Sequence, residues 1–478
     1  MATLNRSFKL ILIVIAVLLL ALLAFVATFD ANNYKPEIIE QVEKATGRDF
    51  TIDGEINLSI FPWVGLKVED VALGNEKGFQ AAQFAAIKQL DIRVNVLPLL
   101  KKEVEINTIR LHGLDVSLEV AEDKSNNWSG LTAKDDASDE DVQKDDVKEV
   151  DVDSAVTESE AGSPLQSLKI EGFEFVDATI RYDDRSSEAS ATVSDLNLKT
   201  GAIQFGKPVD VEFGARIESN QPVIDTRLKM TTQLTFNQEF TEISLLDFVA
   251  TILVSADEMF QQDETFEIKS TINVLMDEQR VTLKQLQLSA LGTTTVADIN
   301  VSQFLQTPLI QGAIDVQPFN AREVAKRAGV ELPEMAKADA LTKVGVKTVI
   351  KFQGEKFEAN DFSLILDGST LSGWLHVIDL TKQQLRYDLV MNQINVNDYL
   401  RPVVAESQVS DEVAPSEQSE VAGQVASGDE KIELPVEMMR EMDIKGDLRI
   451  ASLTVKDYSI QQFLMSTNAQ KGKVAIDP

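Results

Sequence analysis

Cysteine is absent from this chain, and histidine is limited to His112 and His376. Without cysteine there is no disulfide framework and no thiolate chemistry, and the compartment cannot be read from thiol usage. Each histidine sits among apolar residues in a strand-like pattern, so neither a histidine-based triad nor a zinc site takes shape. No glycine-rich loop followed by Lys-Ser/Thr cradles a phosphate, and no G-x-G-x-x-G opens a helix. Carboxylate pairs such as Asp183 and Asp184 are common, but they read as solvated turn residues. Asn127-Trp128-Ser129 matches a glycosylation acceptor, a motif too frequent by chance to carry weight. The expectation is a protein that is not an enzyme and holds no metal or cofactor.

Basic residues are also scarce. Forty-five Lys and Arg stand against 77 Asp and Glu, a net charge of −32. Half of this is local: residues 134–160 hold twelve acids and three bases, and residues 405–430 hold seven acids and no base. An acidic surface of this kind excludes nucleic acid as a partner. It also argues against a body lying flat on anionic lipid.

One long apolar run is present. Leu10–Phe29 carries no charge, and Thr28 is its only clearly polar side chain. As an α-helix rising about 1.5 Å per residue it spans roughly 30 Å, the hydrocarbon thickness of a bilayer. Arg6 and Lys9 precede it, and Asp30 follows, which predicts a cytoplasmic N-terminus and a body on the far side. A cleaved signal peptide would have a shorter apolar region and a small-x-small site. Ala27 follows Val26 and Phe25, and Ala24 follows Leu23 and Leu22, so the sequence favours an uncleaved, single-pass anchor.

Beyond the anchor, Lys35–Thr46 reads as a helix, with Pro36 in its first turn and Gly47 as its stop. From Phe50 the apolar period becomes two, with a turn expected at Asp53-Gly54. Strand patterns then continue to the end of the chain. Leu245–Val254 alternates and is predicted β; Pro318–Gly329 is predicted helical, with Asn320 as N-cap and Glu323 completing a capping box. Val436–Met442 reads as a short helix. Residues 134–160 and 405–430 hold too little apolar surface to fold and are predicted disordered.

A spacing recurs among the strands. Ile106, Ile109, Leu111, Leu114, Val116 and Leu118 share their offsets with Ile170, Phe173, Phe175, Ala178, Ile180 and Tyr182. Leu283, Leu286, Leu288 and Leu291 repeat part of it, as do Ile450, Leu453, Val455, Tyr458 and Ile460. The three-residue steps read as bulges or tight bends. About twenty strands with few helices must cover one apolar face, either as a sandwich or as a curled trough. Alternation alone does not separate the two. In a trough, the groove-lining candidates are Ile106, Ile109, Leu111, Val116, Leu118, Ile170, Phe173, Phe175, Ile180, Leu286 and Leu288; in a sandwich the same residues are core. Phe61 and Trp63 are candidates for the membrane interface.

Several stretches are similar to the AsmA family. They include Phe29-Asp-Ala-Asn-Asn-Tyr-Lys-Pro36, Ala45-Thr-Gly-Arg48, Leu58-Ser-Ile-Phe-Pro-Trp63, Asp91-Ile-Arg-Val94 and Leu97-Pro-Leu-Leu100. Further on, Pro318-Phe-Asn320, Leu371-Ser-Gly373, Asn397-Asp-Tyr-Leu400 and Ile444-Lys-Gly446 continue the likeness. The resemblance implies a mainly β protein of the bacterial inner membrane with its bulk in the periplasm. One transmembrane helix is followed by a long curled antiparallel β-ribbon, trough-like with an apolar groove and a few short capping helices. The N-terminal part resembles the chorein region of bridge-like lipid-transfer proteins.

The implied layout is a cytoplasmic 1–9, an anchor 10–29 and a chorein-like 30–133. An acidic insertion 134–163 precedes a β-ribbon 164–404 with a helix near 319–329. After an acidic linker 405–430 comes the start of a C-terminal β region, 431–478, which in the family continues further. The implied function is outer-membrane biogenesis, by shielding or conducting phospholipid acyl chains between the two membranes. The implied partners are phospholipids, the inner membrane and outer-membrane biogenesis proteins. The alternative is a non-catalytic scaffold affecting porin targeting and lipopolysaccharide levels, acting through the acidic segments.

Overall fold

The computed structural model describes residues 30–59, 63–95, 98, 105–132, 169–402, 443–470 and 473–477. Leu10–Phe29, Phe61, both acidic stretches and Val436–Met442 lie outside them. No helix among the described residues is long and apolar enough to cross a membrane. The chain divides into two units, Met1–Glu258 and Met259–Pro478.

The first unit opens with a 3-10 turn, Ala31–Tyr34, and helix α1, Lys35–Thr46. Pro36 sits in the first turn, where its missing N–H is no loss. Gly47 ends the helix at φ 71°, its N–H donating to Glu43 O at 2.7 Å. The Asn32 side chain accepts from Ile56 N at 2.9 Å and donates to Ile56 O at 3.3 Å, tying this segment to the sheet.

The strands that follow are β1 (Phe50–Ile52), β2 (Ile56–Ser59), β3 (Trp63–Gly74), β4 (Gln83–Asn95), β5 (Glu105–Ile106) and β6 (Ile109–Val120). After one helical turn, α2 (Ser129–Thr132), come β7 (Lys169–Ile170), β8 (Phe173–Asp184), β9 (Ala189–Thr200), β10 (Val209–Asn220), β11 (Val223–Phe236) and β12 (Glu242–Ser255). Both β1 and β2 pair antiparallel with β3. This corrects the expected turn at Asp53-Gly54, which interrupts one edge strand instead of closing a hairpin. A Cβ on Gly54 would come within 2.5 Å of Glu69 O, so glycine is required by close approach to β3. The ladder then runs β3–β4–β6–β8–β9–β10–β11–β12.

The second unit contains β13 (Glu264–Leu275), β14 (Arg280–Ala290), β15 (Thr293–Ser302), β16 (Leu309–Phe319), helix α3 (Ala321–Arg327), β17 (Val344–Gln353), β18 (Lys356–Leu366), β19 (Ser369–Asp379), β20 (Gln384–Asn395), β21 (Asp443–Val455), β22 (Tyr458–Gln470) and β23 (Lys473–Asp477). Each pairs with the next. Asn320 caps α3, its Oδ1 accepting from Arg322 N and Glu323 N. The helix is shorter than predicted because Pro318 and Phe319 belong to β16. Arg327 at its end holds Glu264, which is fully buried, through two bonds of 2.8 and 2.6 Å.

Two ladder steps in the long strands are parallel, β6 with β8 and β20 with β21. Parallel neighbours cannot be joined by a hairpin. In sequence, the two acidic stretches fall in these two connections and nowhere else.

Bulges recur in the middle of the strands. In four of them two residues oppose one, at Asp195 (φ 50°), Asp247 (φ 48°), Gln285 (φ 52°) and Asp361 (φ 48°). The single opposed residues are Ala215, Thr232, Ser270 and Thr348, all small and all buried. The last three donate their hydroxyls to the carbonyls just before the bulge, Leu246 O, Lys284 O and Asn360 O, at 2.9, 3.2 and 3.0 Å. Each such bulge bends its strand, and the hydroxyl satisfies a carbonyl released from the ladder. Asp is the commonest of these left-handed residues because its short polar side chain tolerates that conformation.

The three-residue steps of the sequence do not share one origin. Leu111–Leu114, Phe175–Ala178 and Leu283–Leu286 straddle Gly113, Asp177 and Gln285, all at positive φ within a strand. Leu288–Leu291 and Val455–Tyr458 instead run into hairpin turns.

Candidate functional site

Register decides which side chains share a face, because paired residues in a ladder point the same way. In the second unit one transverse row reads Val274, Val281, Val301, Ile310, Phe352, Phe357, Val377, Leu385, Ile444, Ala469. Ten consecutive strands contribute, and every residue is apolar. The row one residue away, on the opposite face, reads Asn273, Thr282, Asn300, Gln311, Lys351, Glu358, His376, Arg386, Lys445, Asn468, and every residue is polar. Two further apolar-face rows start at Ile272 and Ile268 and carry a few glycine or threonine positions. At one of these the Tyr387 ring crosses Gly446, and its hydroxyl donates to Thr467 Oγ1 at 2.8 Å on the next strand.

The first unit repeats the arrangement over nine strands. Its apolar row is Ile56, Val68, Leu90, Leu111, Phe175, Leu198, Phe213, Met230, Ala250. On its other face Lys67, Asp91, Arg110, Glu174, Lys199 and Glu212 are consecutive partners, and their charges alternate in sign. Arg110 Nε meets Glu174 Oε2 at 2.6 Å. Opposite charges across a ladder support the pairing and fix its register.

Among the described residues, no second layer covers the apolar rows within either unit. The strands there pack against their ladder neighbours, and no second sheet faces them. The members of the Val274 row are half-buried, apart from buried Ala469, and the polar row is comparably accessible. Of the fourteen buried apolar residues, eight are alanine. A two-layer core would bury the large side chains instead. The local exception is the cluster of Met391, Ile450 and Leu453, packed by Leu371, Ile394 and Phe463. Strand spacing and rise give the apolar face of the second unit an area on the order of 1,000 Å2. Open apolar patches beyond a few hundred Å2 mark a binding surface.

The eleven candidate residues fall on these apolar faces. Leu111 pairs with Phe175, Ile109 with Phe173, Val116 with Ile180, and Ile106 with Ile170. Leu118 lies beside Tyr182, while Leu286 and Leu288 stand in β14 of the second unit. Trp63 is half-buried on the polar side, its ring 5.5 Å from the Arg93 guanidinium. His376 is also on the polar side, Nε2 2.9 Å from Asn360 Oδ1. Missed from sequence were the rows of β15 to β22. Their alternation was visible, but their alignment depends on register.

A concavity of about 400 Å3 lies over β8 to β11, lined by Phe175, Leu198, Phe213 and Met230 of the apolar row together with Glu174, Lys199, Glu212 and Lys229 of the adjacent row. No group of metal-ligating side chains occurs among the described residues.

The family model for AsmA matches residues 5–478. The chain belongs to the AsmA family. Over 142 residues it is 31% identical to AsmA family protein YhjG of Escherichia coli (strain K12), a stretch covering 27% of this chain and 20% of that relative. No solved structure matches.

Proposed function

We propose that this AsmA-family protein is a non-enzymatic lipid handler of the bacterial envelope. Leu10–Phe29 anchors it in the inner membrane with its N-terminus in the cytoplasm. Its periplasmic sheets shield phospholipid acyl chains on their way between inner and outer membranes. The observation that carries this reading is the Val274 row, ten strands wide without a polar side chain and, among the described residues, with no layer over it. Ladder pairing uses the backbone donors and acceptors of these strands, so the face offers a ligand almost nothing but hydrocarbon. An acyl chain of ~16 methylenes in water costs on the order of 13 kcal/mol at about 0.8 kcal/mol per methylene. A continuous apolar face removes most of that barrier. Family membership and the sequence of the anchor support the envelope location.

The test is organic extraction of the purified full chain followed by mass spectrometry. Stoichiometric phospholipid is the expected result. Lipid-free protein, with function retained, would leave the scaffold role as the better account.

A further inference from the structure

One edge of the second unit carries a polar cavity of about 250 Å3 beside the apolar face. Four separate segments build it: Lys337 before β17, the Asp367-Gly368 turn with Ser369, the end of β20 with Asp398 and Tyr399, and Ser452 with Thr454 on β21. Ile394 is also in its lining and packs on the Met391 cluster, so the cavity adjoins the apolar surface.

Some groups here are fully used. The Asp367 carboxylate accepts from Leu341 N at 2.8 Å, Lys343 N at 3.1 Å and Tyr399 Oη at 2.9 Å. Other groups are not. Lys337 Nζ stands 3.8 Å from Asp398 and 3.7 Å from Asp339, near enough for attraction but too far for hydrogen bonds. Ser369 is only 6% exposed, yet its hydroxyl has no hydrogen-bond partner among the described residues. A hydroxyl without a partner on a residue that lines a cavity is free to donate to a ligand atom. Asp398 spends Oδ1 on Asn395 Nδ2 at 2.5 Å and keeps Oδ2 open toward Lys337.

The free donors, Lys337 ammonium and Ser369 hydroxyl, suit a phosphate oxygen. The free acceptor, Asp398 Oδ2, suits an ammonium. With Asp367 and Asp398 against Lys337, the cavity is net negative and disfavours a ligand carrying only negative charge. We infer that this cavity binds a phosphodiester bearing a primary amine, the chemistry of glycerophosphoethanolamine. As the headgroup of a lipid, such a ligand would lay its acyl chains on the neighbouring apolar face. That lipid arm rests on the function proposed above; binding of the soluble headgroup does not.

Calorimetric titration of the full chain with glycerophosphoethanolamine, glycerophosphoglycerol and dihexanoyl phosphatidylethanolamine separates the cases. The amine-bearing diester should bind, and the glycerol diester should bind about tenfold more weakly or not at all. Lys337→Ala and Asp398→Asn should each weaken the amine-bearing ligand about tenfold; both are surface changes that leave the strands intact. Equal binding of both diesters, no binding of either, or indifference to both substitutions overturns the site. A soluble headgroup that binds while the dihexanoyl lipid gains no affinity keeps the site and removes its link to the apolar face. Lipid that co-purifies with unchanged headgroup composition in both variants sinks the site and leaves the lipid-handling reading standing.

Discussion

Val274 and Asn273 are neighbours in sequence, and the rows they begin are opposites. One crosses ten strands without a polar side chain, and the other crosses the same strands without an apolar one. Both are about equally open to solvent. If the fold needed only solubility, an uncovered sheet would be polar on both faces; if it needed only a core, the apolar side would be covered. A row kept apolar across ten strands, with no second layer over it among the described residues, suits a hydrophobic ligand. The charged face teaches the complementary lesson. Its sign alternation from Lys67 to Glu212 fixes register, and register keeps the other face clean.

Four experiments can break or sharpen this contrast. The largest expected effect touches neither face and marks what loss of folding looks like. Arg327→Met leaves Glu264 buried and unpaired, which should cost about 3–5 kcal/mol in urea unfolding. Replacing both, as Glu264→Leu with Arg327→Met, should recover much of it.

Next come substitutions on the two faces. Phe352→Asp places a charge in the apolar row and should lower co-purifying lipid about fivefold or more, since a carboxylate in hydrocarbon is strongly disfavoured. Lys351→Leu, one residue away on the charged face, should leave lipid unchanged. Similar losses from both would break the contrast. Circular dichroism should show strand content retained in each.

A third test concerns the bulges that keep apolar residues in step. Thr348→Val leaves the Asn360 carbonyl without its hydroxyl donor and should destabilise by about 1–3 kcal/mol. Asp361→Gly should be nearly neutral, because glycine accepts φ 48°. Asp361→Val should cost about 1–2 kcal/mol. Differential scanning calorimetry reads all three.

The smallest effects are titrations at the polar cavity. Burial pushes the Tyr399 phenol up, and the Asp367 carboxylate beside it adds to this, giving a value of about 12. Its hydrogen bond therefore stabilises the fold below the ordinary tyrosine value of 10.0 and is lost as pH rises through the folded value. The difference in 295 nm absorbance between the unaltered chain and Tyr399→Phe should show this phenol ionising near 12, and a difference that titrates at 10 would contradict it. Burial alone would raise the Asp367 carboxyl, but the N–H groups of Leu341 and Lys343 and the Tyr399 hydroxyl hold it below 3.8. Its contribution is present above that value and fades as pH falls through the folded value, so Asp367→Asn should matter at pH 7 and progressively less in acid.

Much of this fold could be read before any coordinates. Pro36 and Gly47 bracketed α1, and Asn320 marked α3, because caps are local chemistry. Alternation marked the strands, Leu245–Val254 included. The three-residue steps hinted at bulges, and at Asp177 and Gln285 they were. Other features depend on pairing partners far apart in sequence. Gly54 looked like a turn because nothing local reveals Glu69 pressing against it. The parallel partners of β6 and β20 lie beyond the acidic stretches, and no pattern within a strand names its neighbour. The polar cavity joins residues 337, 369, 398 and 454, which only the ladder brings together.

The most direct measurement is a photocrosslinking scan in cells. A photoreactive residue would be placed in turn at Lys351, Phe352, His376, Val377, Lys445 and Ile444, and phospholipid adducts counted by mass spectrometry. Adducts at Phe352, Val377 and Ile444, with none at their three neighbours, are the expected result. Equal labelling of both sets, or none at any position, would contradict an open apolar face that carries lipid.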